Sequence, residues 1–474
     1  DNRFRYPIFP EKDIKKYKNF VLRNSGGDFN RTQLKDAFMT QMVKNRGVSI
    51  QAYRPAVVFL NGAYWGIQNL REKLNEYYLK YNFDLDKDSV FILRHNGEVQ
   101  IGDYSTKKQY RSVLNYMKEN DMSKEEHLEY VKSKFDVYNY IRYNIAETYS
   151  DNRDAGGNIR YWRYDSDTAK WRWLLYDTDM GLGTDHPKGY MRNTVDKFTK
   201  INNEAWPDPP WSTFIIRKLL EHPEMEDYYI NTFADFLNTS LHQDSALNLL
   251  NRMINGIDEE MPYHHRRWKG SDNAWQYQLG IVKTFVKKRP FYLRQYIVEK
   301  FALSDTSRVT FELPKKGLKK FQLNTLRIDR YSEFKGQYFV GTAIPYQIET
   351  PYDYEFVGWE GEGFKQLDSN HISITANKAH IKPVVQPKPK SEVLGVVINE
   401  WSLKQTATQD SEDWIEIYNH SGKAISFIGW TLQDEKDDHI IEMPSITLLP
   451  EGYIVIAQNK HVFDSVYNNE VQYV

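Results

Sequence analysis

Residues 151–183 read DNRDAGGNIRYWRYDSDTAKWRWLLYDTDMGLG. Asp154 and Asn158 stand just ahead of one aromatic run, and Asp177 and Asp179 just behind a second. Carboxylates and an amide form an all-oxygen donor set, which suits a hard divalent cation. Mg2+ takes one or two carboxylates and leaves its other positions to phosphate oxygens and water. The same residue types also make turns and caps, and they gather at hairpin ends for that reason alone. A calcium loop is a third reading, because alternate acids followed by glycine open such loops. Counting Asp177 as its first position, the twelfth is Lys188, which cannot ligate a cation, so that reading weakens.

The order acid, Asn, strand, turn, strand, Asp-x-Gly is also that of a protein-kinase centre, where the acid orients the attacking hydroxyl and the later residues hold metal. Here Asp154 and Asn158 are spaced i to i+4 rather than i to i+5, and the second element is Asp179-Met180-Gly181. A phosphate would need donors, and FVLRNSGGDFN offers them. A strand-like segment runs into a glycine-bearing turn whose N–H groups could cradle an anion, with Arg23 in reach of its oxygens. An ordinary Asn/Gly turn capped by Asn30 or Thr32 explains the same letters. Glu72 closes the preceding hairpin and could brace a phosphate-binding Arg or Lys, or be a solvated acid at a helix start. His264 and His265 precede Arg266, Arg267 and Trp268 without carboxylate spacing, which reads as a helix surface or a polar contact.

These residues must be positioned by ordinary elements. RPAVVFLNGAYWGIQNL (54–70) predicts a hairpin, because Asn-Gly accepts the positive φ that both turn positions need. Residues 31–46 have helical apolar spacing at Leu34, Ala37, Phe38, Met42 and Val43. Residues 123–149 predict two helical pieces. NIRYWRY, the polar turn DSDTAK and WRWLLYD predict a second hairpin, whose open end carries the two acidic clusters. Residues 211–303 show 3–4 periodicity throughout. From about 304 the pattern changes to short strands and turns.

Composition sets the outer limits. The chain has 474 residues, too many for one ordinary core, and 15% of them are aromatic. With no cysteine, disulfides, thiolate metal sites and Cys nucleophiles are excluded. A net charge of −1 gives no general argument for nucleic acid or an anionic membrane, and no apolar run of about 18 residues predicts a membrane span. The start at DNRFRYPIF is that expected of a mature or trimmed form, with any targeting peptide outside it.

The blocks LRNSGGDF…KDAF, VVFLNGAYWGIQNLREKL, DNRDAGGNIRYWRY and KWRWLLYDTDMGLG, in this order, resemble the CotH kinase family of atypical kinases, over roughly residues 15–300. The resemblance implies an α+β fold: an atypical protein-kinase-like domain over 1–303, helical from about 205. It implies an ATP- and Mg2+-dependent phosphotransferase acting on Ser or Thr of a protein, and looks closest to exported or surface members. Carried over by position, it implies Asp154 as the catalytic acid and Asn158, Asp177 and Asp179 as metal ligands. Arg23, Asn24 and Ser25 fall in the phosphate loop, with Glu72 as its brace. Residues 304–381 look like a small β module, 382–392 like a Pro/Lys linker, and 393–474 resemble a lamin-tail domain, an immunoglobulin-like β-sandwich. VVINEW, DWIEIYN, FIGWTLQD and LLPEGYIVIA carry that last likeness. The expected localisation is bacterial and exported, whether periplasmic, cell-surface or secreted, with surface or carbohydrate contacts through the β modules. Two rivals stay open: a catalytically silent scaffold or adhesin that keeps the fold, and a metal-dependent phosphoester hydrolase.

Overall fold

The Asn61-Gly62 turn forms as its residue types require, with φ of 50° and 81°, and Leu60 pairs with Ala63 across it. The computed structural model in which this is seen describes residues 3–201, 207–351, 353–388, 395–402, 412–433 and 440–467. The hairpin strands Tyr53–Leu60 and Ala63–Arg71 are joined by Val21–Arg23 into a three-stranded antiparallel sheet. Register sets Arg23 opposite Asn69, which brings the glycine-bearing turn to the end of the sheet. Helix Lys35–Met42 then buries nearly every side chain.

The acidic hairpin also forms. Strands Arg160–Tyr164 and Arg172–Leu175 pair antiparallel, with Tyr161 opposite Trp173. They are the middle of a five-stranded sheet completed by Ser49–Ile50, Val90–Arg94 and Glu98–Ile101, of which the last two strands carry weak periodicity and were not expected. The aromatic run is apolar because it is core: Tyr161, Trp171 and Trp173 are buried, and the Tyr110 ring stacks on Tyr161 with centroids 4.4 Å apart. Helices Glu125–Lys134 and Val137–Ser150 match the two expected pieces. Five helices follow in the periodic region, ending with the long Asp272–Lys300. His264, on helix Met261–Trp268, is the polar contact of the two readings. It is buried, its Nδ1 accepts the Ile67 N–H at 3.1 Å, and burial pushes its pKa down to about 4. With the Trp268 Nε1–H on the Trp65 carbonyl, it pins the small sheet to the helices.

Residues 304–381 build two facing sheets, one of five strands and one of four, with Phe311 and Phe321 meeting edge to face between them. Their core is continuous with that of the helices. Buried Asp235, on helix Pro223–Asn238, accepts from Asn324 Nδ2 at 2.8 Å, Thr325 N at 2.9 Å and Tyr338 Oη at 3.0 Å. The expected linker 382–392 is corrected in its first half. Strand Lys378–Pro387 runs through it, paired with Tyr354–Glu362. Its second neighbour pairs only as far as Ile381, so Pro383 and Pro387 lie where the strand is an edge and a missing N–H costs little. Residues 389–392 lie outside the described residues. The last part has its own core of Ile417, Phe427, Met443, Leu448 and Ile454 beneath a sheet of Val396–Ser402, Trp414–Asn419 and Tyr453–Ala457.

Candidate active site

The site lies at the mouth of the aromatic ribbon. Helix Val137–Ser150 ends at Asp151, which takes a left-handed φ of 54° and donates its N–H to the Glu147 carbonyl. After strand Arg172–Leu175, Asp177 and Leu182 also have positive φ, 57° and 54°. Non-glycine residues held this way in one small region are a cost that surrounding contacts must offset. Gly181 packs tightly here: a side chain there would begin 2.8 Å from the Ser150 carbonyl. The Leu182 N–H donates to that carbonyl at 2.7 Å. The ends of the helix and of the ribbon are thereby locked together.

Five of the expected residues converge. Arg23 Nη2 donates to Asp177 Oδ1 and, at 2.7 Å, to Asp179 Oδ2. The Gly27 N–H reaches the same Asp179 oxygen at 2.9 Å. Gly26 is at φ +55°, and a Cβ on it would lie 2.2 Å from Asp179 Oδ2, so the turn can approach the acid only as glycine. Asp154 is close enough to Asp177 to feel its charge. Burial first, then Asp177, pushes its pKa up to about 6, against a hydrogen bond from Asn158. Asp179 is pushed up to about 7, again by burial and then Asp177.

Three expected residues do other work. Ser25 is buried at φ 72°, and its hydroxyl donates to Gln33 and accepts from Asn69 Nδ2 at 2.9 Å, so it shapes the turn from inside. Asn24 caps that turn, its Oδ1 accepting the Gly26 N–H at 3.2 Å. Glu72 does not brace Arg23. Its partners are Lys12 Nζ at 2.7 Å, the Ala52 N–H and Asn82 Nδ2. The bracing carboxylate is Asp36, which holds Arg71 Nη1 at 2.6 Å and stands 3.8 Å from Arg23 Nε. Its other oxygen accepts the Thr178 N–H at 3.1 Å, which fixes the residue between Asp177 and Asp179.

Sequence reasoning missed Glu147, Asn152 and Asp208 as well. Glu147 is fully buried, and burial followed by the charges of Asp154 and Asp208 pushes it up to about 8. Asn152 Nδ2 donates to Glu147 Oε2 at 2.9 Å. The one signal was an acid alone among the apolar letters of YNIAETY. Glu147 Oε1, Asn152 Oδ1 and Asp154 Oδ1 are buried with no hydrogen-bond donor. Oxygens that have lost water and gained no donor are costly. An all-oxygen neighbourhood in that condition fits a hard cation, with Asn158, Asp177 and Asp179 as the residues to hold it.

Against known proteins, the model of the family described as CotH kinase protein matches residues 2–293. The chain belongs to the CotH kinase family. The Lamin Tail Domain model matches residues 389–473. CotH membership makes this a kinase-like phosphotransferase of a family that in general uses nucleotide and metal. No curated protein matches the chain. Among solved structures, a DUF4876 family protein from Bacteroides thetaiotaomicron is 11% identical over 34% of this chain and 52% of its own, with a TM-score of 0.12. The overlap thus spans about half of that chain and carries no argument about fold or activity. Among the described residues, no helix is long and apolar enough to cross a membrane.

Proposed function

We propose that this CotH protein transfers the γ-phosphoryl group of ATP, with Mg2+, to serine or threonine hydroxyls of an exported or surface protein. The observation that supports the reading best is the convergence of Asp154, Asn158, Asp177 and Asp179 on one mouth, with buried oxygens there lacking donors. Bound Mg2+ would supply positive charge against the triphosphate. Asp154 faces the acceptor: its carboxylate accepts the hydroxyl hydrogen bond, aligns the oxygen and takes its proton as the new O–P bond forms and the bond to the leaving diphosphate breaks. Asn158, with Asp177 and Asp179, would hold the metal beside it. Arg23 and the Gly26–Gly27 turn, whose donors now rest on Asp177, Asp179 and Asn24, would turn to the phosphate oxygens once a metal takes the two aspartates, and Asp36 keeps Arg23 and the Asp177–Asp179 turn in register. An exported setting accords with the absence of cysteine and with the appended lamin-tail domain.

One observation favours the rival, a silent scaffold: Arg23 spans both Asp177 and Asp179, where a cation would compete with it. The test is thermal shift with ATP and Mg2+, followed by transfer of labelled phosphate. A catalytic chain shows a metal-dependent shift and label on protein, both lost in the Asp177→Ala/Asp179→Ala double variant. No shift in the native chain leaves the scaffold reading, and label released only as free phosphate leaves a hydrolase.

A further inference from the structure

A cleft of about 1480 Å3 lies between helix Asp272–Lys300, the start of helix Gln243–Asn255 and one face of the four-stranded sheet of the middle module. Sites for small molecules are smaller, about 300–1,000 Å3. One wall is a sheet face. Strand Thr306–Glu312 alternates, with Ser307, Val309 and Phe311 buried and Thr306, Arg308 and Thr310 lining the cleft. In register, Arg308 stands opposite Gln337 on one side and Lys378 on the other, and Lys335 opposite Thr310. Arg308 and Lys378 are thus like charges side by side on one face, which is destabilising when nothing neutralises them. Among the described residues neither has a carboxylate within ion-pair distance, whereas Lys335 is held by Glu333 at 2.6 Å.

The opposite wall repeats the pattern. Lys287 and Arg294 are seven residues apart on helix Asp272–Lys300 and share a face. Arg294 donates to Asn238 Oδ1 at 3.0 Å and to the Pro290 carbonyl at 3.4 Å. Its Nε is buried without a partner, and no acid offsets the burial that pushes its pKa down to about 10. Five cations line the cleft (Lys287, Arg294, Arg308, Lys335, Lys378) against two carboxylates, Glu299 and Asp305. The occupant must therefore be anionic and extended. Phe291 is the one aromatic side chain in the lining, so the stacking platforms on which single-stranded nucleic acid depends are missing. Arginine forks are matched bidentately by carboxylates.

We infer that this cleft is a docking site for an acidic segment of a partner polypeptide, lying extended between the Arg308–Lys378 face and Arg294. The inference does not depend on phosphoryl transfer. The test titrates the full chain, without nucleotide, into fluorescein-labelled oligoglutamate and follows anisotropy at low and high salt. Saturable binding that weakens with salt is expected. The pair Arg308→Glu/Lys378→Glu should weaken it about tenfold or more while melting no lower than the native chain. Arg308→Lys with Lys378→Arg should retain it. The proposal is overturned if oligoglutamate fails to bind or binds the Glu pair equally well. It is also overturned if oligothymidylate or dextran sulfate binds more tightly through the same residues, because the cleft would then read a different class of polyanion.

Discussion

Replacing Glu147 by glutamine should stabilise the protein in alkaline solution and change little in acid. Glu147 is 2% exposed, and burial, then Asp154 and Asp208, raise its pKa to about 8, against about 4.3 for a free glutamate. Between those values the folded protein holds a proton that the unfolded chain gives up. Stability from the neutral acid is therefore complete below about pH 4.3 and is lost as pH rises through about 8. Nearly four units at about 1.4 kcal/mol each set a ceiling of about 5 kcal/mol on what is lost. Asp154, pushed up to about 6, ionises within the same range and carries part of it, so the share of Glu147 is on the order of 2–4 kcal/mol. Glutamine is neutral at every pH, and its carbonyl oxygen can keep the bond from Asn152 Nδ2, now 2.9 Å. Calorimetric melts in EDTA, which keeps divalent cations out, should coincide for Glu147→Gln and native protein near about pH 5. By about pH 9 the variant should melt higher, on the order of 3–5 °C. A variant that melts at or below the native protein in alkali, or gains equally at both pH values, would refute the claim that Glu147 is buried as a neutral acid.

Three further outcomes follow from the geometry. Asp36→Ala strands Arg71, 1% exposed and held at 2.6 Å, and should cost about 3–5 kcal/mol in urea unfolding; a loss under about 1 kcal/mol would mean that Arg71 finds water. Gly26→Ala, at φ +55° with Asp179 Oδ2 2.2 Å from its new methyl, should push Asp179 aside and abolish the Mg–ATP thermal shift; an unchanged shift would dissociate that turn from nucleotide binding. Asp235→Ala leaves the donors of Asn324, Thr325 and Tyr338 unmatched and should cost about 3 kcal/mol or more, with faster hydrogen exchange in strands on both sides of the junction; protection confined to either side would show that the two halves open separately.

Local chemistry made some of this legible and distance hid the rest. Asn61-Gly62 announced its hairpin because the turn needs only its own two residues. The acidic ribbon was readable because its register is set by adjacent strands. Glu72 misled for the opposite reason: its partner Lys12 is 60 positions away, and nothing nearby in the chain marks the pairing. Asp36 reads as an ordinary helix acid in KDAF, yet its partners Arg71 and Thr178 come from two different sheets' ends. Glu147 was hidden by its helix, whose apolar letters account for the fold without it.

The long-helix half and the middle sandwich have no seam between them, since one apolar interior runs from Leu34 to Ile381. The CotH match, however, stops at residue 293, inside the helix Asp272–Lys300 and ahead of Ile297, which is fully enclosed. Cutting there would leave a raw oily wall and a shelled-out helix end. The portion that recombination could pass intact from one gene to another thus reaches past the kinase boundary to the last strand of the sandwich, and a chain without that sandwich would need helix Pro223–Asn238 resurfaced.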